Sequence, residues 1–156
     1  MLSLDPVQFA MPVELLLRTV LEEARSYDEA RALLSESLIP CDCLLLLTGT
    51  RPGEMAVIER TPTRHAVRGA KAGYVCVTNG YQALDVAPGG GSFDLMGTCC
   101  GRLERVEDLI SRRPPGNPDE CFRYLSDADV QMNMTVQQMV FRVATGEYWT
   151  RLPQAL

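Results

Sequence analysis

The spacing of apolar residues changes near residue 41, and this change constrains the fold more than any other feature. Before it, between residues 12 and 25, apolar residues recur at helical spacing, which predicts one face of a helix. That face comprises Val13, Leu16, Leu17, Val20, Leu21 and Ala24. From residue 41 to 47 they form a nearly continuous run, which is typical of a strand covered on both faces. The pattern therefore predicts helices first and strands afterwards.

A second helix follows the first closely. Ser26 and Glu29 have the spacing of a capping box, and Pro40 lies beyond the helix that this box would open. The apolar positions of that helix are Ala30, Leu33 and Leu34. The two segments together predict a helical hairpin over residues 12–38.

Three further strands are predicted after the first apolar run, over residues 54–60, 64–68 and 74–78. Pro62 and the glycines at 69 and 73 separate them. Short strands with such turn signals are typical of an antiparallel meander, so we expect a sheet over residues 41–78.

The rest of the chain predicts helices over residues 101–126, the second of them capped by Asn117 and Pro118, and a terminal hairpin over residues 134–152. The turn of that hairpin is expected at Thr145 and Gly146. Because helices and strands come in blocks, the class expected is α+β with a mainly antiparallel sheet, in one domain over residues 1–156.

Charge and apolar content exclude several function classes. Fifteen basic and twenty acidic residues give a net charge of −5, so we expect no nucleic-acid partner. The apolar run from Leu44 to Leu47 is far too short to cross a membrane, and the first residues do not have the basic start of a signal peptide. We therefore expect a cytoplasmic protein with reduced cysteines and no membrane contact.

No cofactor or metal site is expected. The glycine-rich stretch from Gly89 to Ser92 does not carry the lysine of a phosphate loop, and we interpret it as a flexible connection. The cysteine pairs at 41 and 43 and at 99 and 100 do not have the spacers of a zinc site. His65 is the only histidine and is expected to face solvent.

Two polar residues stand in unusual places. Asn79 follows an apolar segment within Thr78-Asn79-Gly80, where function is often carried, although Asn-Gly is also the sequence of a type I′ turn. Arg102 lies at the start of a predicted helix, where the helix dipole disfavours a cation.

Several segments in order resemble one enzyme family. They are Met11-Pro12, residues 15–21, the run from Glu54 to Pro62, residues 65–68, Val77-Thr78-Asn79, residues 98–106 and residues 134–141 with Gly146-Glu147. Together they resemble the isopenicillin N acyltransferase-like and acid ceramidase-like branch of the N-terminal nucleophile (Ntn) hydrolases. The resemblance covers nearly the whole chain.

This resemblance implies an αββα sandwich in which an N-terminal cysteine attacks an amide carbonyl of a small acyl-amide substrate. It assigns Asn79 as the donor to the oxyanion, and Arg102 to the nucleophile pocket or to a substrate carboxylate. Thr78, Gly80, Tyr81 and Cys99 are the expected substrate-binding residues.

The chain departs from the family pattern in three ways. Gly80 replaces a larger residue, Cys99 stands where the family has serine, and no cysteine lies near Met1. We therefore expect an incomplete sandwich, the C-terminal portion of such an amidohydrolase or acyltransferase, which is inactive alone because its N-terminal part and nucleophile are missing. A second polypeptide could supply the cysteine.

Two alternatives remain open at this point. One is a non-catalytic binding or oligomerisation module of the same fold, and in either case we expect a homo-oligomer because a sheet without its neighbours exposes an edge. The other is a thiol enzyme that uses Cys99 or Cys100 with His65.

Overall fold

The computed structural model describes residues 10–85 and 97–153. Its helices are α1 (Val13–Glu23), α2 (Tyr27–Glu36), α3 (Cys99–Arg112) and α4 (Pro118–Leu125), and its strands are β1 (Cys43–Thr48), β2 (Met55–Arg60), β3 (His65–Gly69), β4 (Gln138–Arg142) and β5 (Glu147–Arg151). Both sheets are antiparallel, which confirms the α+β class.

The described residues fall into two compact units. The first contains residues 10–75 and 81–85, and the second contains residues 76–80 and 97–153. The single domain over residues 1–156 remains a prediction.

In the first unit, α2 packs against the sheet β1-β2-β3, and α1 packs against α2. Leu45 pairs with Ile58, and Ile58 pairs with Val67, so these positions lie across the middle of the sheet. The core comprises Leu16, Val20, Ala30, Leu34, Ile39, Leu45 and Ile58. Burying these side chains is the main favourable contribution to the stability of this unit.

Local signals set the ends of two helices. Ser26 Oγ accepts a hydrogen bond from the backbone N–H of Glu29 at 3.2 Å, as the capping pattern predicts for α2. Asn117 Oδ1 accepts from the N–H of Glu120 at 2.9 Å, and Pro118 is the first residue of α4. Each cap satisfies a backbone donor that the helix itself leaves unpaired.

Two strand expectations are wrong, and the apolar face of α1 is only partly buried. Leu21 is 86% exposed because α1 buries only Leu16 and Val20 of that face. Leu46 is 55% exposed, so β1 is not covered on both faces. Residues 74–78 form no strand. Ala72 and Gly73 have positive φ angles of 52° and 87°, and this tight turn leaves only an isolated bridge at Tyr74.

The second unit consists of α3, α4 and the hairpin β4–β5, in which Val140 pairs with Trp149. Helix α4 packs on β4, with Phe122 buried. Gly146 has a φ of 74° in the turn that the sequence predicts.

The buried Gln138 ties the hairpin to the neighbouring loop. Its Nε2 donates to the carbonyl of Leu125 and to Oε1 of Gln131, both at 3.0 Å. These hydrogen bonds compensate for taking the amide out of water.

The predicted connection from Gly89 to Ser92 lies outside the described residues. In the part of the chain that is described, no helix is long and apolar enough to span a bilayer.

Candidate functional site

Asn79 and Arg102 contact each other in the second unit. Nη2 of Arg102 donates to Oδ1 of Asn79 at 2.7 Å, and its Nε donates to Oγ1 of Thr98 at 3.3 Å. A guanidinium group carries only donors, so the amide must present its carbonyl oxygen to it. The Nδ2 group of Asn79 therefore points away from Arg102, and within residues 10–85 and 97–153 it donates to no acceptor.

The helix start places Arg102 at this contact. Arg102 is in the first turn of α3, and its backbone N–H donates to the carbonyl of Thr98 at 3.0 Å. A cation is unfavourable there, and the carbonyl oxygen of Asn79 supplies some of the missing negative potential. Among the described residues, Arg102 forms no ion pair.

The next arginine of the helix differs in this respect. Arg105 binds the carboxylate of Asp127 with two hydrogen bonds, at 3.0 and 2.5 Å. These bonds raise the pKa of Arg105 and lower the pKa of Asp127. The charge of Arg105 is thus matched by Asp127, whereas no described carboxylate pairs with Arg102.

Cys99 and Thr78 fix the segment that carries Asn79. The hydroxyl of Thr78 donates to the backbone carbonyl of Cys99 at 3.1 Å and lies 3.0 Å from its Sγ. Because that hydroxyl proton is used on the carbonyl, the thiol is the donor in the second contact. Cys99 is only 5% exposed and contacts Thr78, whereas the neighbouring Asn79 is exposed.

Gly80 has a packing role and not a turn role. A type I′ turn needs positive φ at both central residues, and neither Asn79 nor Gly80 has one, so the turn interpretation is wrong. A Cβ atom at position 80 would lie 3.0 Å from Sγ of Cys99. Glycine therefore lets this segment approach the start of α3.

The structure places Tyr81 in different surroundings. Its hydroxyl donates to the backbone carbonyl of Arg60 at 2.6 Å in the first unit, and burial raises its pKa to about 12. The polar end of this side chain is already satisfied within the protein. Thr78, Asn79, Gly80, Cys99 and Arg102 are thus brought together, and Tyr81 is bound elsewhere through its hydroxyl.

A cleft of about 970 Å³ opens beside Arg102, within the second unit. The first turns of α3 form one wall, and residues 128–134 form the other, with Met132 and Met134 as its largest apolar side chains. Its volume is that of a pocket for a small molecule. Sequence patterns do not identify residues 128–134, because an irregular segment has no periodicity to read.

The other sequence candidates belong to different units. His65 is exposed on β3 of the first unit, and Cys100 is exposed on α3 of the second. In the described residues, no group of three or more His, Cys, Asp or Glu side chains is arranged to hold a metal ion.

Comparison with known proteins adds no assignment. No model of a protein family matches the chain, and no curated protein matches it significantly. The geometry of Asn79 and Arg102 is therefore the main evidence on function.

Proposed function

We propose that this chain supplies the amide-recognition part of an Ntn hydrolase-type amidohydrolase or acyltransferase that acts on small acyl-amides. Asn79 donates a hydrogen bond to the oxygen of the reacting carbonyl, and Arg102 holds Asn79 in the orientation that makes this possible. The nucleophile is a cysteine outside the described site, provided by a further segment or by a second polypeptide. The cytoplasm is the proposed location.

The orientation of the Asn79 amide carries this proposal. Oxyanion stabilisation needs an N–H donor that is positioned in advance and is not used by the protein itself. The 2.7 Å hydrogen bond from Arg102 occupies Oδ1 and leaves Nδ2 with both of its protons, and Asn79 is exposed. An exposed N–H group in this orientation is open to the carbonyl oxygen of a bound amide.

The surroundings of the pair support the same chemistry. Arg102, which forms no ion pair among the described residues, adds positive potential where negative charge develops on the carbonyl oxygen, and the adjoining cleft has room for the rest of an acyl-amide. The layer of two helices on an antiparallel sheet in the first unit is compatible with half of an αββα sandwich.

The substrate reacts in two steps in this proposal. The cysteine thiolate forms a C–S bond to the carbonyl carbon, the C–N bond breaks, and the amine leaves with a proton. Water or a second amine then takes the acyl group from the thioester. Asn79 and Arg102 act on the oxygen in both steps and take part in no covalent bond.

Asn79→Asp separates hydrogen-bond donation from folding. The aspartate keeps an oxygen for Arg102 but cannot donate, and its charge repels a carbonyl oxygen. The ¹⁵N-labelled variant should therefore bind an unreactive N-acyl amide about tenfold more weakly than the unmodified chain does, as measured by NMR titration. This factor corresponds to the loss of one hydrogen bond together with the added repulsion. When the chain is combined with a cysteine-bearing polypeptide that completes the site, turnover should fall by roughly 10²–10³.

Asn117→Asp is the matched control. It makes the same change of charge at a helix cap where aspartate serves as well as asparagine, so binding should not change. If Asn79→Asp binds the amide as tightly as the unmodified chain, Asn79 is not the donor.

A non-catalytic binding module is the second candidate. The observation that favours it is the exposed face of the β4–β5 hairpin, where Phe141 is 60% and Tyr148 is 64% exposed. For such a module, Asn79→Asp would have no effect, and substitutions on the hairpin would abolish the interaction.

A further inference from the structure

Strand β5 ends the smaller sheet with a free edge. Among the described strands it is hydrogen-bonded only to β4, in a sheet of two strands. The outer edge of a strand offers a row of unpaired N–H and C=O groups, and a sheet of only two strands is marginally stable. Another strand at this edge would satisfy the backbone groups and enlarge the sheet.

The outward face beside this edge carries no charge. It comprises Met139 and Phe141 of β4 with Tyr148 and Thr150 of β5. Phe141 and Tyr148 are directly opposite each other, with ring centroids 6.3 Å apart. Although the chain has a net charge of −5, two copies meeting along this side would bring no like charges together on that face.

We propose that β5 pairs antiparallel with β5 of a second copy of this chain, about a two-fold axis at Trp149. This register sets Trp149 opposite its own equivalent and Tyr148 opposite Thr150 of the second copy. It also sets Glu147 of each copy opposite Arg151 of the other, so two such pairs form. The result is one antiparallel sheet of four strands.

Charge complementarity selects this register and this strand. Glu147 and Arg151 are half-exposed, and their present partners Arg142 and Asp119 are exposed too. Pairing between copies therefore extends the existing ion pairs and leaves no charge without a partner. The same pairing of β4 about Val140 would set Gln138 opposite Arg142 and form no ion pair. The edge of β5 is therefore the self-complementary one.

Two variants of opposite charge, studied separately and mixed, test the contact between the β5 strands. Tyr148→Lys with Thr150→Lys, and Tyr148→Glu with Thr150→Glu, each place like charges opposite one another across the interface. Sedimentation equilibrium from about 1 µM to about 1 mM, the range of a small interface, should show a dimer for the unmodified chain. Each charged variant should dissociate at least about tenfold more readily, and their equimolar mixture should recover the dimer.

A matched pair on the same face distinguishes edge pairing from face-to-face stacking. Met139→Lys with Phe141→Lys adds the same charge on β4, away from the β5 edge, and should leave the dimer intact. If this variant dissociates as readily as the β5 variants, the edge contact is refuted. A monomeric unmodified chain over the whole range refutes it too, as does a charge mixture that stays monomeric.

Cross-linking tests the register. Opposite residues in an antiparallel pair have Cα atoms about 4.5–5.5 Å apart, which is within the reach of a disulfide. Trp149→Cys should therefore form a disulfide between two copies, identified by the mass of the joined peptide, whereas Val140→Cys should not. A link at position 140 and none at 149 would overturn the assignment to β5.

Discussion

Glu59 should be the most sensitive polar position in the first unit. Its side chain is completely buried on β2, and its two oxygens accept from the backbone N–H groups of Gln82, Ala83 and Leu84 at 2.8–3.1 Å and from Nε of Arg68 at 2.7 Å. Burial by itself would raise the pKa of this carboxyl. The three backbone donors and Arg68 outweigh that effect, so the pKa lies below its usual value.

The substitution Glu59→Gln keeps the shape and removes the charge. The amide nitrogen that replaces one carboxylate oxygen cannot accept a hydrogen bond. The N–H groups that donate to that oxygen are therefore left unpaired in the interior. Removing one partner of a buried ion pair costs about 3–5 kcal/mol, a large fraction of the roughly 5–15 kcal/mol that stabilises a domain. We expect the free energy of unfolding of the first unit to fall by about that amount.

Urea unfolding followed by far-ultraviolet circular dichroism measures the change, with Glu36→Gln as the control. Glu36 is exposed at the end of α2, so its substitution should alter stability by less than about 0.5 kcal/mol. If Glu59→Gln unfolds at the same urea concentration as Glu36→Gln, the hydrogen bonds to residues 82–84 do not stabilise the fold.

The pH dependence has a definite sign. Because the folded pKa of Glu59 is lowered, its contribution is fully present above the ordinary value of 4.5 and is lost as the pH falls through the folded pKa. The difference in stability between the unmodified chain and Glu59→Gln should therefore shrink below pH 4.5. A difference that grows on acidification would contradict the assignment of a lowered pKa.

Two further substitutions test the second unit by urea unfolding. Gly80→Ala should destabilise the unmodified chain by about 1 kcal/mol more than it destabilises the Cys99→Ala variant, because that variant does not have the sulfur atom that the new methyl group would meet. If the effects of the two substitutions simply add, the close approach of residue 80 to Cys99 is refuted. Gln138→Leu should lower the free energy of unfolding by about 1–3 kcal/mol, because it leaves the carbonyl of Leu125 without its buried amide donor. Gln137 is exposed, so Gln137→Leu should change the free energy of unfolding very little. Equal changes for the two variants would exclude a stabilising role for the Gln138 amide.

Elements with local signals could be predicted from the sequence. The cap at Ser26 and the Asn117-Pro118 pair act within one turn of the helices they start, so a short stretch of sequence contains the whole cause. The exposure of Leu21 could not be predicted in the same way. It depends on how wide a face α1 presents to α2 and the sheet, which is a property of the assembled unit.

In the candidate site, too, single residues could be predicted from the sequence but the contacts between them could not. Asn79 and Arg102 were each conspicuous, one in an Asn-Gly pair and the other at a helix start, but they are 23 residues apart and no spacing rule joins them. The bonds of Glu59 reach donors 23 to 25 residues away and have no signature in sequence. The wrong turn interpretation of Asn79-Gly80 has a similar origin, since a sulfur atom 19 positions further along decides why glycine is there.

The pairing of Arg102 with Asn79 also ties the amide to helix α3. Arg102 belongs to the first turn of α3, so the 2.7 Å contact makes the direction of the Asn79 N–H groups depend on where that helix begins. Any change that displaces the start of α3 will therefore redirect these N–H groups as well.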